Sequence, residues 1–164
     1  MNNHKVAVYD FNGYKIKFIN LLSIVNNKAE LDITDYLDYF DEVYENDKNA
    51  IYIVDFHAEM TLAKNVLGYY ADGRASLVYG THTHVQTADE RILPNKTAYI
   101  TDVGMCGSID SVIGYDYQSF IERKTKKTST FVSIRKPFMI NAIYVEIDLT
   151  TKQALKIERI NEAM

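Results

Sequence analysis

Apolar residues recur along this chain with both the two-residue and the helical period. Val6-Ala7-Val8-Tyr9-Asp10-Phe11 alternates loosely, Asn12-Gly13 interrupts it, and Tyr14-Lys15-Ile16-Lys17-Phe18-Ile19-Asn20-Leu21 resumes it. Two β-prone runs around Asn-Gly predict a hairpin, because a type I′ turn needs positive φ at both central residues. Residues 26–30 are polar and read as a loop. From Thr34 or Asp35 to Glu45 the residues Tyr36, Leu37, Phe40, Val43 and Tyr44 fall at helical spacing behind suitable N-caps.

Residues 50–54 are a continuous apolar run, as in a strand covered on both faces. A helix is expected over 59–70, with Leu62, Ala63, Val66, Leu67 and Tyr70 as its inward stripe. Asp72-Gly73-Arg74 ends it, since Gly readily takes the left-handed conformation past a helix. Residues 76–79 read as a second buried strand, so 50–84 form one strand–helix–strand unit. In a parallel unit of this kind both strands finish on one edge of the sheet, where ligands usually bind. A further strand is expected over 96–103 and a short helix over 116–124. Alternating tail segments, 131–134, 140–147 and 155–160, predict antiparallel strands of a half-exposed sheet. The class is α/β with mixed sheets.

Composition narrows the picture. The 164 residues suit a single domain, 1–164, and 47% hydrophobic with 24% charged residues is a globular balance. Eighteen Lys and Arg against 22 Asp and Glu give a net charge of -4, which provides no footprint for broad nucleic-acid binding. There is no apolar run long enough to span a bilayer and no apolar leader, so the expected compartment is the cytoplasm and no membrane partner is expected. The single cysteine, Cys106, cannot form an internal disulfide, and it lacks the local signature of a nucleophile.

The candidate chemistry lies in the histidines. His57 follows the first buried strand, and His82 and His84 follow the second, so the strand–helix–strand geometry brings them together. Neutral imidazole is a common ligand for first-row cations. A lone histidine at a strand end is more often a hydrogen-bonded structural residue; three at equivalent ends make a metal-site pattern. If 81–84 is extended, His82 and His84 share a face; if it is a loop, they can reach two neighbouring ions. Asp55 and Glu59 flank His57 as acceptors able to orient an imidazole, although Glu59 equally suits a first helical turn. Asp102 ends a predicted strand and could face the same edge. Arg74 is either a surface ion-pair residue or a phosphate clamp. His4, in a polar segment, is expected to be solvated.

Longer motifs carry a resemblance. Val54-Asp55-Phe56-His57-Ala58-Glu59, Tyr70-Ala71-Asp72-Gly73-Arg74-Ala75 and especially Gly80-Thr81-His82-Thr83-His84-Val85-Gln86-Thr87-Ala88-Asp89-Glu90-Arg91-Ile92-Leu93-Pro94 resemble the YmdB-like family of bacterial metallophosphoesterases. Thr97-Ala98-Tyr99-Ile100-Thr101-Asp102-Val103-Gly104-Met105 and Asp110-Ser111-Val112-Ile113-Gly114 continue the match. The resemblance implies a calcineurin-like sandwich of mixed β-sheets flanked by helices, and phosphodiesterase activity that includes cyclic nucleotides. It also implies two divalent transition-metal ions (Mn, Fe or Zn), which polarise the phosphoryl group and activate a hydroxide for in-line attack. By that match His57 and His82 share the second metal and His84 binds the first.

Family members are longer at the amino end, where they carry a strand-end Asp, a Glu-Asn pair and a Gly-Asn-His motif whose His is assigned a part in catalysis. Here Asn3-His4 stands in a different context, before the hairpin. The resemblance therefore implies the carboxyl-terminal part of the sandwich, lacking the first βα units. The expected partners are a small phosphodiester substrate and either a second copy or an amino-terminal half. The alternatives are an inactive fragment or interaction subunit that needs such a half, and a three-histidine protein with one Zn or Fe ion.

Overall fold

The computed structural model describes residues 4–23, 34–126, 132–134 and 137–164. Strands β1 (Lys5–Phe11) and β2 (Tyr14–Leu22) form the expected antiparallel hairpin. Asn12 (φ 52°) and Gly13 (φ 83°) supply the positive angles its turn requires. Helix α1 (Thr34–Glu45) returns the chain so that β3 (Ile51–His57) runs parallel to β2; helix α2 (Thr61–Tyr70) then places β4 (Leu77–Thr81) parallel to β3. β5 (Arg91–Ile92) and β6 (Ala98–Ile100) complete a six-stranded sheet ordered β1-β2-β3-β4-β6-β5. β7 (Gly107–Ser108), α3 (Tyr117–Lys126), β8 (Phe138–Ile147) and β9 (Ala154–Ala163) follow, with β7-β8-β9 forming a second, antiparallel sheet.

Both α1 and α2 lie on one face of the large sheet. Tyr36 and Phe40 from α1 and Ala63 and Leu67 from α2 share a core with Ile19, Leu21, Val54, Phe56 and Val78. The second sheet covers the other face, where Ile143, Val145, Ala154 and Ile157 pack on Ile53, Leu77, Tyr79 and Ala98. The class is α/β with a mixed large sheet, as the sequence pattern predicts, and the second, antiparallel sheet stacks on it. The second sheet does not reach the hairpin, where Tyr9, Phe11 and Phe18 remain 59%, 53% and 40% exposed. Among the described residues no helix is long and apolar enough to cross a membrane.

Several element expectations need correction. β3 runs past residue 54 to His57 because it pairs on both sides, Leu22 with His57 and His57 with Thr81. β6 is shorter than 96–103, since Lys96 is left-handed (φ 77°) and Asp102 turns to bond Thr87. The inward face of α2 is rotated: Ala63, Lys64, Leu67 and Gly68 are buried, while Leu62 and Tyr70 are exposed. Gly68 lies inside because the Tyr99 ring packs where its Cβ would be, 2.5 Å away. Of 131–134, residues 132–134 are described and form a single bridge, Ser133 to Tyr115, and no strand. Residue 131 and the loop expected at 26–30 lie outside the described residues.

Gly80 fixes how closely β4 approaches the end of β6. A Cβ there would sit 1.9 Å from the Thr101 carbonyl oxygen and 2.8 Å from Lys64 Cδ. Gly80→Ala is expected to destabilise the fold by about 3 kcal/mol, the upper range for overpacking, read from the urea midpoint.

Candidate active site

β3 and β4 end side by side at one edge of the large sheet, with His57 opposite Thr81. Beyond β4 the chain leaves the ladder as a loop in which His82 (φ 120°) and His84 (φ 65°) both take positive φ. For side chains other than glycine such angles cost on the order of 1–3 kcal/mol each, and they persist only when the surroundings over-determine them.

Asp102 supplies that constraint. Its Oδ2 accepts the Thr83 N–H at 2.9 Å and the Lys64 ammonium at 2.7 Å, and its Oδ1 accepts the Gly104 N–H at 2.9 Å. The side chains of Lys64 and Asp102 are each only 1% exposed. The Asp102 backbone is held in turn by Thr87, whose Oγ1 accepts its N–H and whose N–H donates to its carbonyl. Burial pushes the Asp102 carboxyl up, but the Lys64 ammonium and the Thr83 and Gly104 N–H groups outweigh this and hold it below its ordinary value. Asp102 thus does not face the site edge as a free carboxylate; it anchors the histidine loop from beneath.

A chain of hydrogen bonds orients His57. Asn20 Nδ2 donates to Asp55 Oδ2 at 3.0 Å, and Thr81 Oγ1 donates to Asp55 Oδ1 at 3.2 Å. The Thr81 hydroxyl has one proton and gives it to the carboxylate, so its 3.2 Å contact with His57 Nδ1 requires Nδ1–H to be the donor. His57 Nε2 is then left with its lone pair, and it faces His82 Nδ1 at 3.1 Å. Two nitrogen ligands at about 2.1 Å on one cation stand about 3.0–3.4 Å apart, so the pair fits a shared divalent ion.

The remaining candidates are distributed as follows. His84 is exposed and stands outside the His57–His82 pair; among the described residues no three His, Cys, Asp or Glu side chains gather closely enough to hold one ion. Glu59 is exposed ahead of α2 and takes no part in the relay. Arg74 precedes β4, at the opposite edge of the sheet, where its Nη1 bonds Asp41 Oδ1 at 2.6 Å and its Nη2 bonds the Tyr70 carbonyl. The ion pair of its first sequence reading is therefore present. His4 is not solvated: it is 6% exposed, its Nδ1 accepts the Leu22 N–H, and its Nε2 meets Asp35 at 3.2 Å. Sequence reasoning passed over Lys64, Thr81 and Asn20. The one signal for them was a Lys beside the apolar stripe of a helix.

A family model described as YmdB-like protein matches residues 2–160. Over 120 residues the chain is 52% identical to a 2′,3′-cyclic-nucleotide 2′-phosphodiesterase of Bacillus subtilis (strain 168), covering 72% of this chain and 46% of that protein. A crystal structure of a novel phosphatase from Mycoplasma pneumoniae superposes with a TM-score of 0.84 at 36% identity, over 96% of this chain and 57% of that one. A crystal structure of a hypothetical protein from Thermus thermophilus gives a TM-score of 0.83 at 30% identity, over 96% and 61%. The chain spans about half the length of the curated relatives it matches.

Asp102→Asn leaves Lys64 as an uncompensated buried cation, and its expected cost is about 3–5 kcal/mol. The pH dependence has a definite sign. A carboxyl with a lowered native pKa contributes its full stability above the ordinary value of 3.8 and loses it as pH falls through the native value. Urea midpoints should therefore fall below about pH 4 in the parent, with Asp102→Asn removing part of that acid-side loss.

Proposed function

The chain belongs to the YmdB-like family, and on that premise we propose that it forms the three-histidine part of a divalent-metal phosphoesterase acting on phosphodiesters of the cyclic-nucleotide class. One observation carries this reading: His57 Nε2 and His82 Nδ1 face each other at 3.1 Å, at adjacent strand ends. The name of the Bacillus subtilis relative supports the substrate class. In this proposal the sheets form part of a calcineurin-like sandwich whose first βα units lie outside the residues described.

His57 and His82 would hold one ion together. His84, two residues further on, would serve a second ion whose other ligands come from outside this chain. Of Mn, Fe and Zn, imidazole donors suit Fe and Zn best, whereas Mn favours oxygen ligands. When bound, such ions polarise the phosphoryl group and activate water for attack on phosphorus. The chain's own residues provide the orientation. Asn20 holds the Asp55 carboxylate, Asp55 takes the Thr81 proton, and Thr81 fixes the His57 tautomer with Nε2 available as a ligand. Asp102 keeps His82 and His84 in their positive-φ geometry.

Two dications at close range repel unless bridging negative charge compensates. No carboxylate meets both His57 and His84 among the described residues. A second reading, in which the chain is an interaction subunit that completes a site with a separate amino-terminal half, draws on the uncovered apolar face of the β1–β2 hairpin.

Elemental analysis after dialysis against Mn, Fe or Zn is expected to give at most one tightly bound transition-metal ion per chain; two would overturn the incomplete-site reading. Thr81→Val, by releasing the His57 tautomer, should weaken metal affinity by about 10–100-fold. His57→Ala should abolish the tightly bound ion, together with any hydrolysis of 2′,3′-cyclic AMP measured with the amino-terminal half supplied. Metal retained in His57→Ala would count against the site, and partner binding retained with no hydrolysis by the parent would favour the second reading.

A further inference from the structure

At the edge of the large sheet opposite the histidines, the turns before β3, β4 and β6 meet the turn before β9. They enclose a cavity of about 70 Å³. Its lining includes Lys48, Arg74, Lys96 and Lys152 and contains no carboxylate. Two of these cations have acidic partners next to the cavity: Arg74 bonds Asp41 at 2.6 Å, and Lys48 bonds Glu45 at 2.8 Å. The second pair is more than half exposed on both sides and neutralises little. Two further carboxylates, Asp72 and Asp148, accept the N–H groups of the lining residues Asn95 and Thr151 and bond neither Lys96 nor Lys152. Lys152 Nζ donates to the neutral carbonyl of Lys48 at 2.8 Å, so its charge is not offset in that bond.

The backbone gives an independent indication. Lys96 (φ 77°) and Lys152 (φ 62°) are both left-handed, at the ends of tight turns closed by Leu93–Thr97 and Asp148–Gln153 hydrogen bonds and braced by the Asp72 and Asp148 carboxylates. Glycine or asparagine ordinarily fills such turn positions, because a Cβ is strained there. This chain places lysine at both, and both lysines line the same cavity. Strain of this kind is characteristic of positions where the side chain is used.

We propose that this cavity binds a phosphate group, a compact tetrahedral dianion, at a site separate from the histidines. Lys96 and Lys152 supply the mobile charge. Arg74, paired with Asp41 and stacked against the Phe40, Tyr44 and Tyr70 rings, forms a fixed wall of the cavity. The amide and hydroxyl groups of Asn95 and Thr151 at the rim can donate to the remaining oxygens. The same chemistry would accept free phosphate or the phosphate of a mononucleotide.

The test follows the melting temperature of the full chain while phosphate replaces chloride at constant ionic strength. A saturable rise of about 3 °C is expected at millimolar phosphate. The rise should persist in His57→Ala/His82→Ala, which separates this site from the metal proposal. Lys96→Gly/Lys152→Gly should melt above the parent in chloride, because glycine relieves both strained positions, and should show no phosphate-dependent rise. If 3′-AMP stabilises the parent at lower concentration than phosphate while adenosine does not, the nucleotide is the ligand; equal or weaker action assigns free phosphate. A non-saturable rise in the parent, or an equal rise in the double-lysine variant, would overturn the proposal.

Discussion

The histidine edge depends on one buried ion pair. Lys64 and Asp102 lie beneath the loop that carries His82 and His84, both almost fully withdrawn from water. Burying two charges costs several kcal/mol per ion, and Coulomb attraction recovers this only when the remaining hydrogen-bonding capacity is also used. Here it is used: the Asp102 carboxylate also accepts the N–H groups of Thr83 and Gly104. The pair therefore acts chiefly as a geometric constraint. It joins α2, the end of β6 and the loop after β4, and it sets the backbone that gives both histidines positive φ. An apolar pair of similar volume could fill the space, but it would leave those two amide groups without acceptors.

The same constraint accounts for what could and could not be read in the sequence. The hairpin was legible because Asn12-Gly13 is a local signal with a local cause. The strand–helix–strand unit was legible from continuous apolar runs around a helical period, and it correctly brought His57 next to His82. The inner face of α2 was not, because Lys64 counts as polar in any periodicity and its partner lies 38 residues away. Thr81 escaped notice because a hydroxyl between Asp55 and His57 gains meaning only once β3 and β4 are in register. His4 reads as solvated from its polar neighbours, yet β2 and α1 close over it with the Leu22 amide and the Asp35 carboxylate. The two-residue strands β5 and β7 carry no periodicity at all; their partners define them.

The two faces of the large sheet are unequal. Helices α1 and α2 bury the face formed by Ile19, Leu21, Val54 and Phe56, while the second sheet covers the other face only from β3 onward. Tyr9, Phe11 and Phe18 are left as a contiguous apolar surface on the hairpin, and β1 is an edge strand with one neighbour. Such an edge is a ready template for pairing.

Strand polarity then separates two kinds of chemistry. In the parallel strands β2, β3, β4 and β6 the carboxyl ends carry the histidines and the amino ends carry the lysine-lined cavity. β4 spans five residues, so about 17 Å of strand lies between the two edges. An anion at one edge therefore cannot touch a cation at the other, and their charges are largely screened over more than a Debye length. The backbone strain follows the same division. His82 and His84 are left-handed at one edge, Lys96 and Lys152 at the other. In the first case a buried carboxylate enforces the strain. In the second, the Asp72 carboxylate accepts the N–H groups of Asn95 and Thr97 on either side of Lys96, and the Asp148 carboxylate accepts those of Thr150 and Thr151 just before Lys152. At both edges a carboxylate that accepts neighbouring N–H groups fixes the strained backbone, and at the amino edge the proposed phosphate gives the two lysines held there a use.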